Sequence, residues 1–110
     1  MGRAYDLWWN AKVRDPKATI TREWVKQKLD IGICEATGIP LDMTTGQGAS
    51  PWCPTLDQIL PGQGYRPDNV QVVCYIYNKA KAQWTHEDVL TLSRALLGVD
   101  ALQEPQSSVR

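Results

Sequence analysis

Apolar positions recur at helical spacing in three parts of the chain. Residues 4–13 carry apolar side chains roughly three or four positions apart, which predicts a first helix that ends before Pro16. Residues 22–29 repeat this spacing behind Thr21, which is expected to cap the second helix. A last helix is predicted behind Thr85, with an apolar face over residues 89–97, and Gly98 is expected to end it.

The middle of the chain follows a different pattern. Residues 55–59 predict one short strand and the β-branched residues 70–73 a second, with a Pro- and Gly-rich turn at 61–64 between them. Residues 33–42 predict another short strand that breaks into a turn, and residues 44–54 are loop. A helical segment is expected to open at Asn78 and to run to about Gln83. The fold class predicted is α+β, mainly helical around one hairpin.

Composition narrows this picture only a little. The chain has 110 residues, which suits one domain with a modest core. Twelve Lys and Arg balance twelve Asp and Glu, so net charge argues neither for nucleic acid nor for a membrane. No apolar stretch approaches the length of a membrane span, and a cytoplasmic protein without a membrane partner is expected. Three cysteines, an odd number, argue against a disulfide framework.

Two oxygen-bearing side chains are the main candidates for chemistry. Asp57 lies on the first predicted strand and Asn78 at the start of the predicted helix. A hairpin packed on that helix would bring them together, and such oxygens can hold a hard divalent cation. A metal beside a general base hydrolyses phosphodiesters. The residue after Asp57 is Gln58, however, and a carboxamide cannot accept a proton near neutral pH.

Four short motifs in order carry a resemblance to a known family. They are Cys34-Glu35-Ala36-Thr37-Gly38, Leu56-Asp57-Gln58-Ile59, Gly64-Tyr65-Arg66-Pro67-Asp68-Asn69-Val70 and Cys74-Tyr75-Ile76-Tyr77-Asn78-Lys79-Ala80-Lys81. The segment resembles the HNH, or ββα-metal, endonucleases, most closely a phage-type branch. The resemblance covers residues 33–97 and implies a ββα-metal domain with a C-terminal helix at 33–98. The residue pattern adds an N-terminal helical extension at 1–32 and a flexible tail at 99–110.

The resemblance implies a role for each motif residue. Asp57 and Asn78 match the ligands of Mg²⁺ or Mn²⁺, and Gln58 falls at the position of the general-base His. Asn69 matches the Asn that ties the hairpin loop by backbone hydrogen bonds. His86 is an outside candidate for a displaced base, although an exposed helix residue is the favoured interpretation.

Relatives of this kind often hold a structural zinc with two Cys-x-x-Cys pairs. Here Cys34 and Cys74 match the first cysteine of each pair, and the second is replaced by Thr37 and Tyr77. A closed zinc site takes four ligands, and the spacing of Cys53 does not complete one. Cys34 and Cys74 are therefore interpreted as vestiges of a zinc site that serve as small buried side chains, and structural Zn²⁺ is not expected.

Basic residues flanking the predicted metal site are the candidates for contacting DNA. Arg66, Lys79 and Lys81 come first, and Arg14 and Lys17 follow. Trp52, in the loop before the hairpin, is the tryptophan with most claim to contact a base.

Two functions remain open. The first is DNA binding with metal-dependent phosphodiester hydrolysis, and the surviving Asp57 and Asn78 favour it. The second is a catalytically inactive HNH fold that binds DNA or a host or phage protein as a regulator or inhibitor. Gln58, the eroded cysteine pairs and the neutral net charge favour this alternative. A homodimer and, for a phage protein, the host cytoplasm are compatible with both.

Overall fold

The computed structural model describes residues 2–103 and contains four helices and a two-stranded sheet. The elements, in chain order, are α1 (Arg3–Arg14), α2 (Arg22–Ile31), β1 (Pro54–Gln58), β2 (Val70–Cys74), α3 (Tyr75–Lys81) and α4 (His86–Gln103). The α+β class predicted from the sequence is confirmed. Among the described residues, no helix combines the length and the apolar character needed to cross a membrane.

The first two helices lie where the apolar spacing predicts them. α1 is one residue longer at each end than predicted and ends at Arg14, and the backbone of the following Asp15 is extended before Pro16. In α2, the Thr21 hydroxyl accepts a hydrogen bond from the Trp24 N–H at 3.0 Å, which caps the helix as expected. Gly32 follows α2 with φ +75°, the left-handed conformation that favours glycine.

Residues 33–42 form a tight turn instead of the predicted strand. A single bridge pairs Ile33 with Pro40, and the Gly38 N–H donates to the Cys34 carbonyl at 2.8 Å. The N–H groups of Cys34 and Leu41 donate to the carbonyls of Ile39 and Gly32, both at 2.9 Å, and the chain turns back at Gly38 with φ +78°, so the pairing ends after one bridge. Glu35 joins this turn to β2: its N–H donates to the Val72 carbonyl, and its carboxylate accepts from the Val72 N–H at 2.8 Å.

The hairpin pairs β1 with β2 in antiparallel register, with Asp57 opposite Gln71 and Gln58 opposite Val70. α3 then begins at Tyr75, three residues before the predicted start, and ends at Lys81. The early start has a clear cause, because the N–H of Tyr75 donates to the Cys53 carbonyl at 2.8 Å and the next N–H donates to the Pro51 carbonyl. Asn78 therefore lies inside α3 and does not cap it.

α4 continues past Gly98 to Gln103, so the predicted end at Gly98 is wrong. A helical glycine costs about 1 kcal/mol relative to alanine, and the good helix formers on both sides of it, Leu96, Leu97, Ala101 and Leu102, allow the helix to continue. The predicted cap is confirmed: Thr85 and Asp88 exchange hydrogen bonds at 3.1 Å between side chains and backbone N–H groups. Of the predicted flexible tail, residues 99–103 are helical and residues 104–110 lie outside the described residues.

One hydrophobic core joins the N-terminal helices to the hairpin. Leu7 and Ala11 of α1 and Val25 and Leu29 of α2 are buried together with residues of both strands. α4 is attached mainly through α3 and contributes Val89 to the edge of this core. Most of its large apolar side chains are exposed: Leu92, Leu96, Leu97, Val99 and Leu102.

Candidate functional site

Three residues of the predicted site lie together in the structure. Asp57 and Gln58 on β1 and Asn78 on α3 line one small cavity of about 170 Å³, which Arg14 of α1 also lines. Asn78 is held there by its side-chain N–H groups, which donate to the Thr55 hydroxyl at 3.1 Å and the Leu56 carbonyl at 3.2 Å. α3 is thereby fixed across β1, and Asp57 and Asn78 are brought together as the sequence predicts.

Asp57 is bound to a cation supplied by the chain. The Lys81 Nζ lies 3.0 Å and 3.1 Å from the two Asp57 carboxylate oxygens and donates a third hydrogen bond to the Gln58 carbonyl at 2.6 Å. Gln71, opposite Asp57 in the hairpin, donates to Asp57 Oδ2 at 3.0 Å. Lys81 is 1% exposed and Asp57 3%. Lys81 therefore does not lie at the surface, where a phosphate contact was predicted.

This arrangement does not fit the divalent cation that the resemblance implies. Mg²⁺ requires near-octahedral oxygen coordination and usually retains several waters, which need space around the carboxylate. Both Asp57 oxygens accept hydrogen bonds from Lys81 or Gln71, and the residue is buried. Within residues 2–103, no group of three or more His, Cys, Asp or Glu side chains is placed to share a metal.

The Gln58 side chain, at the position that the resemblance gives to the general base, binds the backbone of the hairpin loop. Its side-chain oxygen accepts hydrogen bonds from the N–H groups of Gly62 at 3.1 Å and Gly64 at 2.9 Å. The carboxamide oxygen thus organises the hairpin loop. Since this oxygen is occupied, it is not free to orient a water molecule for attack on phosphorus.

Asn69, which directly precedes β2, holds the same loop from its other end. Its side-chain oxygen accepts from the Leu60 N–H at 2.9 Å, and its amide nitrogen donates to the carbonyls of Leu60 at 3.1 Å and Gly64 at 2.9 Å. Asn69 is buried, as its partners require. These are the backbone hydrogen bonds within the hairpin loop that the HNH resemblance implies for this residue.

Cys34 and Cys74, the cysteines that remain of the two Cys-x-x-Cys pairs, lie close together beside Thr37. Burial alone would raise the pKa of the Cys34 thiol. Hydrogen bonds from the Thr37 hydroxyl and from the backbone of Cys74, Ala36 and Thr37 have the larger combined effect, and the pKa of Cys34 lies below its ordinary value. Burial raises the pKa of Cys74, and the neighbouring Cys34 adds to this rise. All three cysteines are buried and free. Two thiols beside Thr37 do not make the four-ligand set of a structural zinc.

His86 is not among the residues that line the Asp57 cavity. Its Nδ1 is 2.7 Å from the Tyr77 hydroxyl, and it begins α4. Tyr77 is buried, and burial together with the nearby Asp57 charge raises its pKa to about 12. His86 thus links α4 to α3, and it is not brought to the position of a general base.

Four of the six residues predicted to contact DNA line one set of adjoining surface cavities, and two do not. Arg14 and Tyr65 line three cavities of about 360, 170 and 500 Å³, which we call the Arg14 groove. Lys17 and Arg66 line the largest of these cavities, and Lys79 lines the 360 Å³ one. Trp52 is 42% exposed but belongs to none of the three. The groove therefore gathers four of the predicted contacts and leaves out Trp52 and Lys81.

The groove carries an excess of free positive charge. Among the described residues, neither Arg14 nor Lys17 forms an ion pair, and Arg66 approaches Asp68 at 3.6 Å on the surface. The two carboxylates in the groove walls are already engaged. Asp57 pairs with Lys81, and Asp15 accepts from the backbone N–H groups of Lys17 and Tyr65 at 3.1 Å and 3.2 Å.

No protein-family model, curated protein or solved structure matches this chain. The resemblance to HNH endonucleases therefore rests on the four sequence motifs.

Sequence reasoning missed the partners of Asp57. Lys81 lies four residues after the buried Tyr77, on the same face of α3, and this spacing indicates a lysine directed towards the hairpin. Gln71 could have been found from the strand register, which depends on the position of the loop. The sequence therefore contained a signal for this ion pair: Lys81 lies on the face of α3 that carries Tyr77, and Asp57 on the adjacent strand needs a countercharge.

Proposed function

We propose that this protein binds double-stranded DNA through its phosphate backbone, with the Arg14 groove as the contact surface and without hydrolysis of the DNA. One observation carries the proposal: Arg14, Lys17 and Arg66 come from two distant parts of the chain and line the same cavity. Lysine and arginine side chains that neutralise phosphates release counterions and so drive binding that is independent of sequence.

The charge distribution supports an anionic ligand even though the net charge of the chain is zero. The cations of the groove are exposed, whereas its two carboxylates are bound to an ammonium or to backbone N–H groups. The exposed Arg66–Asp68 pair is weak at this separation, so Arg66 is available to a phosphate. Binding by three or four cations predicts modest affinity that falls steeply with salt.

Fluorescence anisotropy with a labelled 20-base-pair duplex tests this proposal. The double variant Arg14→Gln/Lys17→Gln should weaken binding at least tenfold at 50 mM salt, and it should reduce the slope of log K against log salt by about 2. The matched control is Arg94→Gln/Lys26→Gln, which removes the same charge from α4 and α2, outside the groove. Equal binding by the two double variants would contradict the proposal. Stronger binding of duplex RNA would reassign the ligand.

Phosphodiester hydrolysis is the second candidate, and one observation favours it: Asp57, Gln58 and Asn78 line the same cavity. The chain's own groups do not complete a hydrolytic site, because the Gln58 oxygen holds the loop and the Asp57 oxygens are occupied. A supercoiled-plasmid assay with Mg²⁺ or Mn²⁺ separates the two functions. Nicking by the wild-type protein that disappears in Asp57→Asn would favour hydrolysis.

A further inference from the structure

We propose that the Lys81 ammonium is the resident cation of the hairpin–helix site, and that it excludes Mg²⁺ and Mn²⁺ from Asp57. The HNH resemblance implies a divalent metal in this place. The structure instead places there a side chain of α3 that reaches across β1. The inference concerns the cation at Asp57 and does not depend on whether the Arg14 groove binds DNA.

The hydrogen bonding of Lys81 is complete. An ammonium group has three donors and no acceptor. The three oxygens within hydrogen-bond distance are Asp57 Oδ1 at 3.0 Å, Asp57 Oδ2 at 3.1 Å and the Gln58 carbonyl at 2.6 Å. The ammonium therefore bridges a carboxylate and a main-chain oxygen, as a bound metal ion would. Its positive charge compensates the negative charge of the Asp57 carboxylate.

Electrostatics and space both act against a second cation. A divalent ion bound to Asp57 would lie within a few ångströms of the buried ammonium, and the repulsion between them is weakly screened where water is excluded. The Lys81 and Asp57 side chains are 1% and 2% exposed, so the carboxylate presents little surface to the cavity of about 170 Å³ that Asp57 lines, and Mg²⁺ could retain few of its waters there. The Gln71 hydrogen bond to Oδ2 occupies a further direction of approach.

The position of Lys81 follows from the geometry of α3. Because α3 begins directly after β2, its buried face carries Tyr77 and, one turn later, Lys81. Asn78 donates to Thr55 and Leu56, two residues and one residue before Asp57 on β1, and so fixes the helix across this strand. The ammonium is thus delivered by the same strand–helix contact that brings Asp57 and Asn78 together.

A titration with MnCl₂ tests this proposal on the full chain. Melting temperature measures binding to the folded protein, and the electron paramagnetic resonance signal of free Mn²⁺ counts bound ions directly. The wild-type protein should show no Asp57-dependent binding up to 10 mM MnCl₂. The variant Lys81→Gln removes the charge but keeps a donor for Asp57. It should bind one Mn²⁺ with a dissociation constant on the order of 1 mM and gain about 5 °C in melting temperature at 10 mM.

Two controls make the result specific. The double variant Asp57→Asn/Lys81→Gln should lose the Mn²⁺ response. Lys26→Gln, which removes an exposed charge on α2 outside the Arg14 groove, should behave as the wild type. If Lys81→Gln does not fold alone, MnCl₂ should restore its native circular dichroism, because the metal would supply the missing cation.

Three results would overturn the proposal. The first is Mn²⁺ binding by the wild type that is lost in Asp57→Asn. The second is a folded Lys81→Gln variant that binds no Mn²⁺. The third is an unfolded Lys81→Gln variant that MnCl₂ does not rescue.

Discussion

Removing the amine of Lys81 should be among the most destabilising single changes available in this chain. Lys81→Met keeps most of the length of the side chain but leaves the Asp57 carboxylate buried with Gln71 as its remaining hydrogen-bond donor. It also leaves the Gln58 carbonyl without the ammonium donor at 2.6 Å. Breaking a buried ion pair from one side typically costs about 3–5 kcal/mol.

A double-mutant cycle gives the coupling within this pair. We expect Lys81→Met to cost about 4 kcal/mol. Asp57→Asn should cost about 3 kcal/mol, because the ammonium would then be buried without a countercharge. The double variant leaves no buried charge, so its cost should be smaller than the sum by about 2–3 kcal/mol.

Urea unfolding followed by tryptophan fluorescence measures all four free energies. The five tryptophans of the chain supply the signal, and an unchanged m-value would show that the variants unfold from the same native state. Total stabilities of about 5–15 kcal/mol are usual, so Lys81→Met should be measured near 10 °C, where a marginal domain is still folded. A cost below about 1 kcal/mol for Lys81→Met, or additive single costs, would refute the reasoning.

Three further changes test the loop, the Tyr77 environment and Gln58. Asn69→Ala should cost about 2–4 kcal/mol in urea unfolding, because three hydrogen bonds to Leu60 and Gly64 are lost and their partners remain partly buried; a change under 1 kcal/mol would contradict this role. The pKa of Tyr77 is about 12 in the folded state and about 10 when unfolded. Its contribution is therefore complete below pH 10 and should decline by about 2–3 kcal/mol as pH rises from 10 to 12, more steeply than in Tyr77→Phe. Gln58→Ala should cost about 1–2 kcal/mol, whereas Gln58→Glu, which keeps an acceptor for both loop N–H groups, should cost less in the same urea assay.

The elements with strong local signals could be predicted from the sequence. The Thr21 cap and the Thr85–Asp88 pair place the starts of α2 and α4 correctly, and the apolar spacing places α1 to within one residue at each end, because each signal acts within a few residues. The hairpin follows from a β-branched run and a Gly-rich turn. These features depend on local chemistry, which a sequence displays directly.

The errors occur where distant groups decide the structure. α3 starts at Tyr75 because carbonyls of the preceding loop, at Pro51 and Cys53, receive its first N–H groups. Sequence spacing does not show such partners. Gly98 was expected to end α4, but a glycine stops a helix only when its backbone adopts the left-handed conformation, which the surrounding chain decides.

In the candidate site too, the features set by local sequence could be predicted and those set by distant groups could not. The motifs correctly bring Asp57, Gln58 and Asn78 to one cavity, because their separation along the hairpin and helix fixes their neighbourhood. They do not reveal that Lys81 is directed inward or that Gln58 holds the loop. The first depends on how α3 crosses β1, and the second on the path of the hairpin loop, which brings the N–H groups of Gly62 and Gly64 to the Gln58 side chain.

The attachment of α4 at one end has a consequence for local unfolding. Its N-terminal part is fixed by the Thr85 cap, the Tyr77–His86 hydrogen bond and the packing of Val89, whereas Leu96 is 63% and Leu102 is 81% exposed. Opening the last turns breaks local helix hydrogen bonds and exposes little additional apolar surface, so it requires far less free energy than global unfolding. Amide hydrogen exchange should therefore be graded along α4, slow near Val89 and fast near Leu102. A molecule that covers the apolar side chains would reveal itself by slowing exchange in this half of the helix.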